Sequence, residues 1–344
     1  MLSTRRRVLV SAPDVVEVVS EPVPELAPGE ALVRLSVCGI CGSDKAGYHG
    51  EHVFCKPPYY PGHEVVGVVV EVGGAVEGVA VGDRVTVEPT LICGHCKPCL
   101  NGAENLCENL EFFGCGYREG GMADVFAVRA DRLHKVPSSF TDFQAALIEP
   151  LATPVHAVRL VGNVKGKAVA VLGAGTIGLL TLVAARHAGA KKIVSTDQLA
   201  NKRQMALELG ADAVVDAARE DVAEAVRGEL GESADVVFDC VSHQDTLDSA
   251  IKMAVKGGTV GIVGGPRRPA VIDHPVVQEF QIRLQGCATY RSEDFHDAMA
   301  IIGSGAFSAE RLVTATFTLP KAPEAFAAID SGREGKILVL ADAQ

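Results

Sequence analysis

Strand and helix patterns alternate regularly through the middle of this 344-residue chain, and this alternation limits the possible folds more than any other feature. Short apolar, β-branched runs are followed by longer runs with helical periodicity. The runs that predict strands are 168–173, 192–197, 212–216, 235–241 and 258–264. Repetition of this kind predicts right-handed βαβ units, and therefore an α/β domain built on a parallel sheet.

The region before the alternation has a different texture. From Val8 to about Val136 the chain shows short apolar runs separated by glycine and proline, whose β-branched content predicts a strand-rich, mostly antiparallel domain. The last fifty or so residues lose the alternation again. We therefore expect a first domain over 1–151, the α/β domain over 152–289, and a return to the first domain over 290–344.

Composition favours a small-molecule partner and a cytoplasmic protein. The 32 basic and 43 acidic residues give a net charge of -11, which opposes binding to nucleic acid or to an anionic membrane surface. The uncharged stretch 168–185 is long enough to raise the question of a membrane span, but its three glycines and two threonines favour a buried strand, turn and helix. The first apolar run is too short for a signal peptide, and ten cysteines fit a reducing compartment.

A G-x-G-x-x-G motif follows the first predicted strand of the alternating region and opens the next predicted helix. Its residues are Gly173, Ala174, Gly175, Thr176, Ile177 and Gly178. The first glycine permits a tight turn, the second lets the backbone approach a pyrophosphate, and the third lets helix and strand pack closely. The helix N-terminus offers free N–H groups to the phosphates. This context predicts a dinucleotide site; the alternative is a turn that only connects strand and helix.

Asp197 ends the next predicted strand, twenty-two residues after Gly175. A carboxylate at this position would accept hydrogen bonds from an adenosine ribose and would repel a 2′-phosphate. The following residue, Gln198, is neutral, so the pair favours NAD over NADP. Lys202 would reach the ribose or a phosphate. In the alternative interpretation, Asp197 and Lys202 are solvated charges.

Four of the ten cysteines lie in a seventeen-residue stretch, with the spacing C-x2-C-x2-C-x7-C. They are Cys93, Cys96, Cys99 and Cys107. Disulfides are rare in a reducing compartment, whereas Zn²⁺ takes four thiolates in tetrahedral geometry. A closed site leaves no position for a substrate, so this zinc would be structural. An iron–sulfur cluster is the alternative, although its common spacing differs at the fourth cysteine.

A second, more dispersed set of residues offers sulfur, nitrogen and oxygen ligands: Cys41, His63, Glu64 and Glu149. Three protein ligands with one exchangeable position are the form of a catalytic zinc site. Each residue also has an ordinary explanation. Cys41 would be a small buried side chain, His63 a turn histidine and Glu149 a surface carboxylate. Their spacing alone does not decide between the two.

Together these motifs resemble the zinc-dependent medium-chain dehydrogenase/reductase family, nearer its polyol (sorbitol-type) branch than its simple alcohol branch. The resemblance covers essentially the whole chain and rests on GICGSD at 39–44, PGHE at 61–64, the four-cysteine loop, EP at 149–150, and GAGTIG with Asp197. It implies a Rossmann doubly wound parallel sheet inserted in a strand-rich GroES-like catalytic domain. It also implies NAD, two Zn²⁺ per chain (one catalytic, one structural), and a homo-oligomer, either a dimer or a tetramer.

The resemblance also implies roles for individual residues. Cys41 and His63 would bind the catalytic zinc, and Glu64 would be a ligand or a close neighbour of one. Glu149 takes the position where simple alcohol dehydrogenases have a second cysteine, and which glutamate touches the metal stays open. Cys38 matches no ligand position and is interpreted as a packing residue.

The family pattern places a proton-relay hydroxyl at Ser43, with Asp44 as a buried orienting group. An alcohol would lose its proton through Ser43 and its hydride to the nicotinamide, and the reverse reaction would reduce a ketone. Ala46 stands where many relatives have a histidine, so the last step of proton release must use another group or water. His49 and His52 lie nearby in sequence, either for this role or as ordinary loop residues.

The expected substrate is a secondary alcohol, such as a polyol or vicinal diol, or the corresponding ketone. Thr289 precedes Tyr290 where relatives acting on sorbitol have an arginine, which argues against sorbitol itself. The alternatives are a simple alcohol or amino-alcohol dehydrogenase, and a dinucleotide-binding zinc protein without turnover. A zinc-ribbon binding module would need a basic face, which the negative net charge opposes.

Overall fold

The computed structural model describes residues 3–219, 221–266 and 268–342. Its strands, in chain order, are β1 (Thr4–Ala12), β2 (Val15–Pro22), β3 (Glu30–Ile40), β4 (Glu64–Val72), β5 (Arg84–Val87), β6 (Thr90–Leu91), β7 (Glu111–Phe112), β8 (Val125–Arg129), β9 (Leu133–Lys135), β10 (Ala168–Leu172), β11 (Lys192–Asp197), β12 (Ala213–Asp216), β13 (Ala234–Asp239), β14 (Ala254–Ile262), β15 (Arg283–Gly286), β16 (Val313–Thr318) and β17 (Lys336–Leu340).

The α-helices, in chain order, are α1 (Gly42–Tyr48), α2 (Lys97–Leu100), α3 (Asp142–Ala145), α4 (Ile148–Val161), α5 (Thr176–His187), α6 (Ala200–Glu208), α7 (Val222–Leu230), α8 (Gln244–Met253), α9 (His274–Glu279), α10 (Ser292–Gly303), α11 (Ala309–Leu312) and α12 (Ala322–Ile329). Short 3-10 helices cover Glu104–Leu106, Ala130–Arg132 and Leu319–Lys321. None of the described helices combines the length and the apolar character needed to cross a membrane.

The chain divides into two compact units. The first comprises Met1–Glu149 and Val313–Gln344, and the second comprises Pro150–Leu312. The first division lies within two residues of the expected one at 151 and 152. The return to the first unit comes later than expected, at 313 rather than 290.

Helix α10 explains why the return comes late. Its residue Asp294 is fully buried against α4, with His156 Nδ1 2.8 Å and Arg159 Nη2 3.0 Å from its carboxylate. The three side chains tie α10 to α4 within the second unit. Burial alone would raise the pKa of Asp294, but the hydrogen bond from His156 and the charge of Arg159 lower it. An ionised, well-paired carboxylate therefore holds this helix in place.

The first unit is built around a mixed sheet in which β3 is central. The sheet has the strand order β16-β17-β3-β4-β5-β9, and β8 also pairs with β3. All of its pairs are antiparallel except β16 with β17. Alternate residues of β3, including Ala31, Val33 and Leu35, enter a core shared with Val65 of β4 and Phe326 of α12. The predicted strand-rich, mostly antiparallel domain is thus present.

The second unit contains a six-stranded parallel sheet with the order β12-β11-β10-β13-β14-β15. The order reverses direction between β10 and β13, as in a doubly wound sheet, and ligands of such sheets bind at this reversal. Strand β10 is buried along its whole length, which explains its unbroken apolar sequence AVAVL. The predicted Rossmann sheet is confirmed.

Candidate active site

Cys41 stands at the junction between β3 and α1. It caps the helix, and its backbone N–H donates to Asp44 Oδ2 at 2.9 Å. An acidic side chain that reaches back to the capping residue fixes the direction in which the helix starts. The Cys41 thiol is held at the helix start, and Ser43, two residues on, lies half-buried in the first helical turn.

The pairing of β3 with β4 brings His63 and Glu64 close to Cys41. Glu64 is the first residue of β4 and pairs with Gly39, near the end of β3. As a result, ligand atoms of Cys41, His63 and Glu64 lie within 4.8 Å of one another. This group, called the Cys41 cluster below, is one of two such groups in the part of the chain that the structure describes.

The Cys41 cluster fits a zinc ion. His63 and Glu64 are 3% and 1% exposed, and neither His63 Nδ1 nor Glu64 Oε1 has a hydrogen-bond partner among the described residues. Buried polar atoms without partners are costly, and they commonly mark the place of an ion or a water molecule. One sulfur, one nitrogen and one carboxylate oxygen form a donor set that zinc accepts.

Negative charge surrounds His63. Asp44 Oδ1 lies 3.8 Å from His63 Nδ1, and Glu149, buried in the first turn of α4, also acts on the ring through its charge. Burial disfavours a charged imidazole, but Asp44 and Cys41 outweigh burial and raise the pKa of His63 well above its usual value. The same surplus of negative charge would attract a cation into the cluster.

Lys336 of β17 is a site residue that the sequence analysis missed. Its ammonium is buried, pairs with Glu64 Oε2, and donates to Ile40 O at 3.0 Å. Burial alone would lower the pKa of Lys336, but the charge of Glu64 raises it. A Cβ on Gly39 would lie 2.0 Å from Glu64 Oε2, so only glycine leaves room for this ion pair. The available signal was a lysine at the start of the apolar run KILVL.

The two histidines near Ala46 are occupied by other contacts. His49 Nδ1 lies 2.6 Å from Asp14 and His49 Nε2 lies 2.8 Å from Asp330. His52 Nδ1 accepts backbone hydrogen bonds, including one from Cys55 at 2.8 Å. Both histidines therefore have clear structural roles in the loop after α1.

The four-cysteine loop folds into the second metal-binding group. Ligand atoms of all four cysteines lie within 4.8 Å of one another. Cys96 Sγ lies 3.3 Å from Cys99 Sγ and 3.9 Å from Cys107 Sγ. Around them the small apolar cluster consists of Ile92 and Leu110 with the cysteines themselves. The loop thus has little core other than its thiols.

The charges of these thiols favour a bound cation. Hydrogen bonds from the backbone of His95, and also of Cys96, lower the pKa of Cys93 to about 6. Burial, and then the neighbouring Cys96 thiol, raise the pKa of Cys99 to about 12. The thiol of Cys93 therefore ionises easily, whereas the thiol of Cys99 keeps its proton. A cation at the centre would stabilise all four as thiolates, so the loop fits zinc.

The glycine-rich turn between β10 and α5 has the geometry that a dinucleotide requires. Gly173 has φ +88°, and a Cβ there would lie 2.5 Å from Val241 Cγ2. A Cβ on Gly178 would lie 1.8 Å from Gly173 O, so helix and turn pack in contact. At Gly175, by contrast, a Cβ would meet no described atom within 4 Å. This open face gives a phosphate access to the backbone.

Asp197 lies beside this turn, at the end of β11. Its Oδ2 accepts from Ala174 N at 2.8 Å, and its Oδ1 accepts from Leu199 N at 2.9 Å. The carboxylate is thus fixed against the glycine-rich turn. Lys202 is buried, so its interpretation as a solvated helix charge is wrong. Arg203, which the sequence analysis did not single out, donates to Asp197 O at 2.9 Å and holds the strand end.

Comparison with known proteins finds a matching family model in each of the two units. Residues 27–138 match the family model described as alcohol dehydrogenase GroES-like domain. Residues 176–304 match the model described as zinc-binding dehydrogenase. The first match covers the Cys41 cluster and the four-cysteine loop. The second begins at the glycine-rich turn and includes Asp197.

Similar proteins cover nearly the whole chain. The probable D-xylulose reductase A of Aspergillus clavatus is 34% identical over 329 residues, which cover 92% of this chain and 91% of the relative. The sorbitol dehydrogenase of Bombyx mori is 34% identical over 327 residues and covers 92% of this chain and 93% of its own. A crystal structure of a putative zinc-binding dehydrogenase from Sinorhizobium meliloti 1021 bound to NADP has TM-score 0.92 and 34% identity, covering 98% and 100%.

Fold, clusters and similarities together define a zinc-binding dehydrogenase, an oxidoreductase that acts on alcohols or polyols. The chain belongs to the zinc-dependent medium-chain dehydrogenase/reductase family, in its polyol dehydrogenase branch.

Proposed function

We propose that this chain interconverts a secondary alcohol of a polyol or vicinal diol and the corresponding ketone, with NAD as the hydride acceptor. The observation that carries the proposal is the Cys41 cluster, in which neither buried atom, His63 Nδ1 nor Glu64 Oε1, has a hydrogen-bond partner among the described residues. A merely structural cluster would have paired these atoms with protein groups.

Cys41, His63 and Glu64 would hold the catalytic zinc, and the four-cysteine loop would hold a structural one. Zinc in an open site supplies Lewis acidity, which polarises an alcohol or carbonyl oxygen. Lys336 pairs with Glu64 and keeps it in place, while Asp44 lies beside His63. Glu149 would complete the site or bind substrate.

The protein's own groups would then manage protons and orientation. Ser43, in the first turn of α1, would accept the alcohol proton in oxidation and return it in reduction. Asp44 fixes the start of that helix and thereby the position of Ser43 relative to Cys41. The open backbone at Gly175 would bind the pyrophosphate and so place the nicotinamide for hydride transfer.

Two observations support a polyol or vicinal diol. Glu149 is buried beside the Cys41 cluster, so a second hydroxyl of the substrate would find a hydrogen-bond acceptor there. The relatives named for D-xylulose and sorbitol also point to polyols and their ketones. Thr289 stands where relatives acting on sorbitol have an arginine, which argues against sorbitol itself.

A screen of NADH absorbance tests the reaction and the substrate class together. Polyols, vicinal diols, cyclitols, amino alcohols and simple alcohols would be compared at equal concentration. We expect secondary alcohols with a neighbouring hydroxyl to give the highest kcat/KM. A clear preference for unbranched primary alcohols would contradict the proposed substrate, and NAD binding without turnover of any alcohol would contradict the proposed reaction.

The proposed preference for NAD rests on Asp197. Its carboxylate is fixed beside the glycine-rich turn by Ala174 N and Leu199 N, where it would accept hydrogen bonds from a ribose and repel a 2′-phosphate. A related structure contains NADP, so the preference has to be measured on this chain.

Asp197→Asn combined with Gln198→Arg would test it. Asparagine keeps an acceptor for the backbone of the turn while removing the charge, and a guanidinium can bind a phosphate bidentately. We expect kcat/KM to shift from NAD towards NADP by roughly a hundredfold, the product of a lost charged hydrogen bond and a gained phosphate contact. Gln198→Arg alone is the control. An unchanged ratio in the double variant would show that Asp197 does not face the ribose.

A further inference from the structure

The first strand of the chain carries two buried arginines. Arg5 and Arg7 of β1 are 2% and 3% exposed. Charged side chains are almost never fully buried unless they are paired. Alternate residues of a strand point to the same face, so both guanidinium groups enter the first unit from one side of β1. Their partners identify the part of the molecule that they hold.

Arg5 holds the 118–122 segment, which lies between β7 and β8. Its Nη1 and Nη2 donate to the two carboxylate oxygens of Glu119 at 2.7 and 2.8 Å, and Nη1 also donates to Val125 O at 3.0 Å. Nη2 donates as well to Glu21 Oε1 of β2 at 2.6 Å. Glu119 is itself buried. A bidentate arginine–carboxylate pair fixes orientation as well as distance.

Arg7 holds the same region from the next position on this face of β1. Its Nη2 donates to Arg118 O at 3.1 Å, and its guanidinium carbon lies 3.2 Å from the centre of the Tyr60 ring. A guanidinium stacked on an aromatic ring is attracted by the negative face of the ring. Tyr60 lies three residues before His63. Arg7 therefore contacts both the 118–122 segment and the segment that leads to His63.

The 118–122 segment packs directly on the residue before His63. Gly121 N donates to Gly62 O at 2.7 Å. Gly62 has φ +105°, and a Cβ there would lie 2.5 Å from Met122 N. The two backbones are thus in contact, and only glycine fits between them. The position of His63 therefore depends on the position of the 118–122 segment.

Glu119 is connected to His63 by a second route, through the residues at and after β7. Gly114 N donates to Glu119 O at 3.0 Å. A Cβ on Gly114 would lie 2.8 Å from His63 N, so this backbone packs on the histidine. The Phe112 ring lies edge-on to the His63 ring, with centroids 5.6 Å apart. A shift of Glu119 would therefore reach both the backbone and the ring of His63.

We propose that Arg5 is a positioning residue for the reaction: through Glu119 and the 118–122 segment it sets the orientation of His63 in the Cys41 cluster. This role rests on the proposed zinc site of that cluster. If the buried pair of Arg5 and Glu119 served only stability, its replacement by apolar side chains of similar volume would leave the metal site unchanged.

The variants separate position from stability. Arg5→Met leaves Glu119 buried without its bidentate partner and should destabilise the protein, whereas Arg5→Met combined with Glu119→Met removes both charges and should keep Tm close to the wild type. Arg5→Lys is the conservative variant, because an ammonium cannot reproduce the bidentate pair. Arg6→Met is the matched control, since this neighbouring arginine of β1 pairs with Asp124 and Asp342, both at 2.7 Å.

Four quantities are measured on each full-length protein. They are Tm, the zinc affinity by competition with a chelator, the visible spectrum after replacement of zinc by cobalt(II), and kcat with KM for the best alcohol of the NADH screen. Cobalt(II) absorbs visible light, and its bands follow the geometry of its ligands. The contribution of the Cys41 cluster to zinc binding and to the cobalt spectrum is the part that the Cys41→Ser variant lacks.

We expect the double variant to bind zinc in the Cys41 cluster about tenfold more weakly, since groups that orient metal ligands contribute about 10–100-fold to affinity. Its cobalt bands should shift. Its kcat should fall by roughly tenfold with little change in KM, because displacements near 1 Å at a reacting site cost up to about a hundredfold. Arg5→Lys should show the same changes to a smaller degree, and Arg6→Met should match the wild type.

A double variant with the zinc affinity, cobalt bands and kcat of the wild type would overturn the proposal, whatever its Tm. Equal losses in Arg6→Met would also overturn it, because they would show that any arginine of β1 has this effect. A wild-type cobalt spectrum identical to that of Cys41→Ser would instead contradict the proposed zinc site, and with it this role of Arg5.

Discussion

The two metal-binding groups of the first unit are assembled in opposite ways. The four cysteines lie between positions 93 and 107, in one loop that contains α2 and a 3-10 turn. The Cys41 cluster joins the end of β3 to the start of β4, and Lys336 comes to it from β17, 272 residues after Glu64. The four-cysteine group is therefore assembled within one short segment. The Cys41 cluster is assembled by the pairing of strands in the sheet.

Their surroundings differ in the same sense. The four-cysteine loop packs mostly on its own thiols, with Ile92 and Leu110 as the neighbouring apolar side chains. The Cys41 cluster adjoins the large core of the first unit, to which Cys38 and Val65 belong. A zinc ion in the four-cysteine loop should therefore mainly stabilise the fold, whereas a zinc ion in the Cys41 cluster should mainly support catalysis. Mutations in the two groups should then have different effects on stability and on activity.

The largest effect is expected for Cys41→Ser. Removal of a catalytic zinc ligand forfeits several kcal/mol of transition-state stabilisation, so kcat should fall by roughly a thousandfold or more. Measured zinc should fall by one ion per chain while the melting temperature changes little. Cys38→Ala, three residues earlier and outside the cluster, is the control and should keep its zinc. Full activity of Cys41→Ser would remove this cysteine from the site.

Cys96→Ser should show the reverse pattern. Zinc contributes about 10–16 kcal/mol to the folding of small zinc domains, and the loss of one thiolate should remove enough of this to lower Tm by roughly 10 °C. The kcat of the remaining folded protein should stay near the wild-type value. Calorimetry, with zinc analysis of the same sample, checks this. Iron in the purified protein, or an unchanged Tm, would contradict a structural zinc in the loop.

Lys336→Met tests whether the Cys41 cluster depends on the sheet. In zinc-free protein the variant leaves Glu64 buried and unpaired, which should cost about 3–5 kcal/mol of unfolding free energy. Lys135→Met, which removes an exposed pair with Asp83 at 2.9 Å, should cost less than about 1 kcal/mol. Urea titration measures both. Zinc should reduce the loss of unfolding free energy in Lys336→Met, because the cation compensates the charge of Glu64. Equal losses in the two variants would mean that the buried ion pair contributes no more to stability than the exposed one.

The smallest effect is expected at His49. Hydrogen bonds from His49 to Asp330 and Asp14 raise its pKa, and Lys45 and the Tyr48 ring also lie in this group. A raised folded pKa stabilises the protein fully below the unfolded value of about 6.5, and the benefit is lost as pH rises through the folded pKa. The groups are partly exposed, so the benefit should stay below about 1 kcal/mol.

His49→Gln should therefore destabilise the protein below pH about 6.5 and should approach the wild type in alkali. Unfolding free energies over a pH series, measured for both proteins, give this difference directly. A gap that widened with rising pH would have the wrong sign for the proposed contact.

Local patterns predicted most of the architecture. The alternation after position 168 correctly predicted the parallel sheet, because the strands and the helices have different hydrophobic periodicities. The return to the first unit was placed too early, because the helical pattern of α10 is the same whichever unit it joins. The contacts of Asp294 with His156 and Arg159 hold α10 in the second unit.

The sequence by itself determined the chemistry available to this protein: four thiols at metal-binding spacing, a cysteine and a histidine in separate loops, and glycines at the start of α5. Only the tertiary structure decided which groups meet. Lys336 reaches Glu64 through the pairing of β17 with β3 and of β3 with β4. Contacts between residues far apart in the chain depend on strand register and on burial, and no spacing in the sequence records either one.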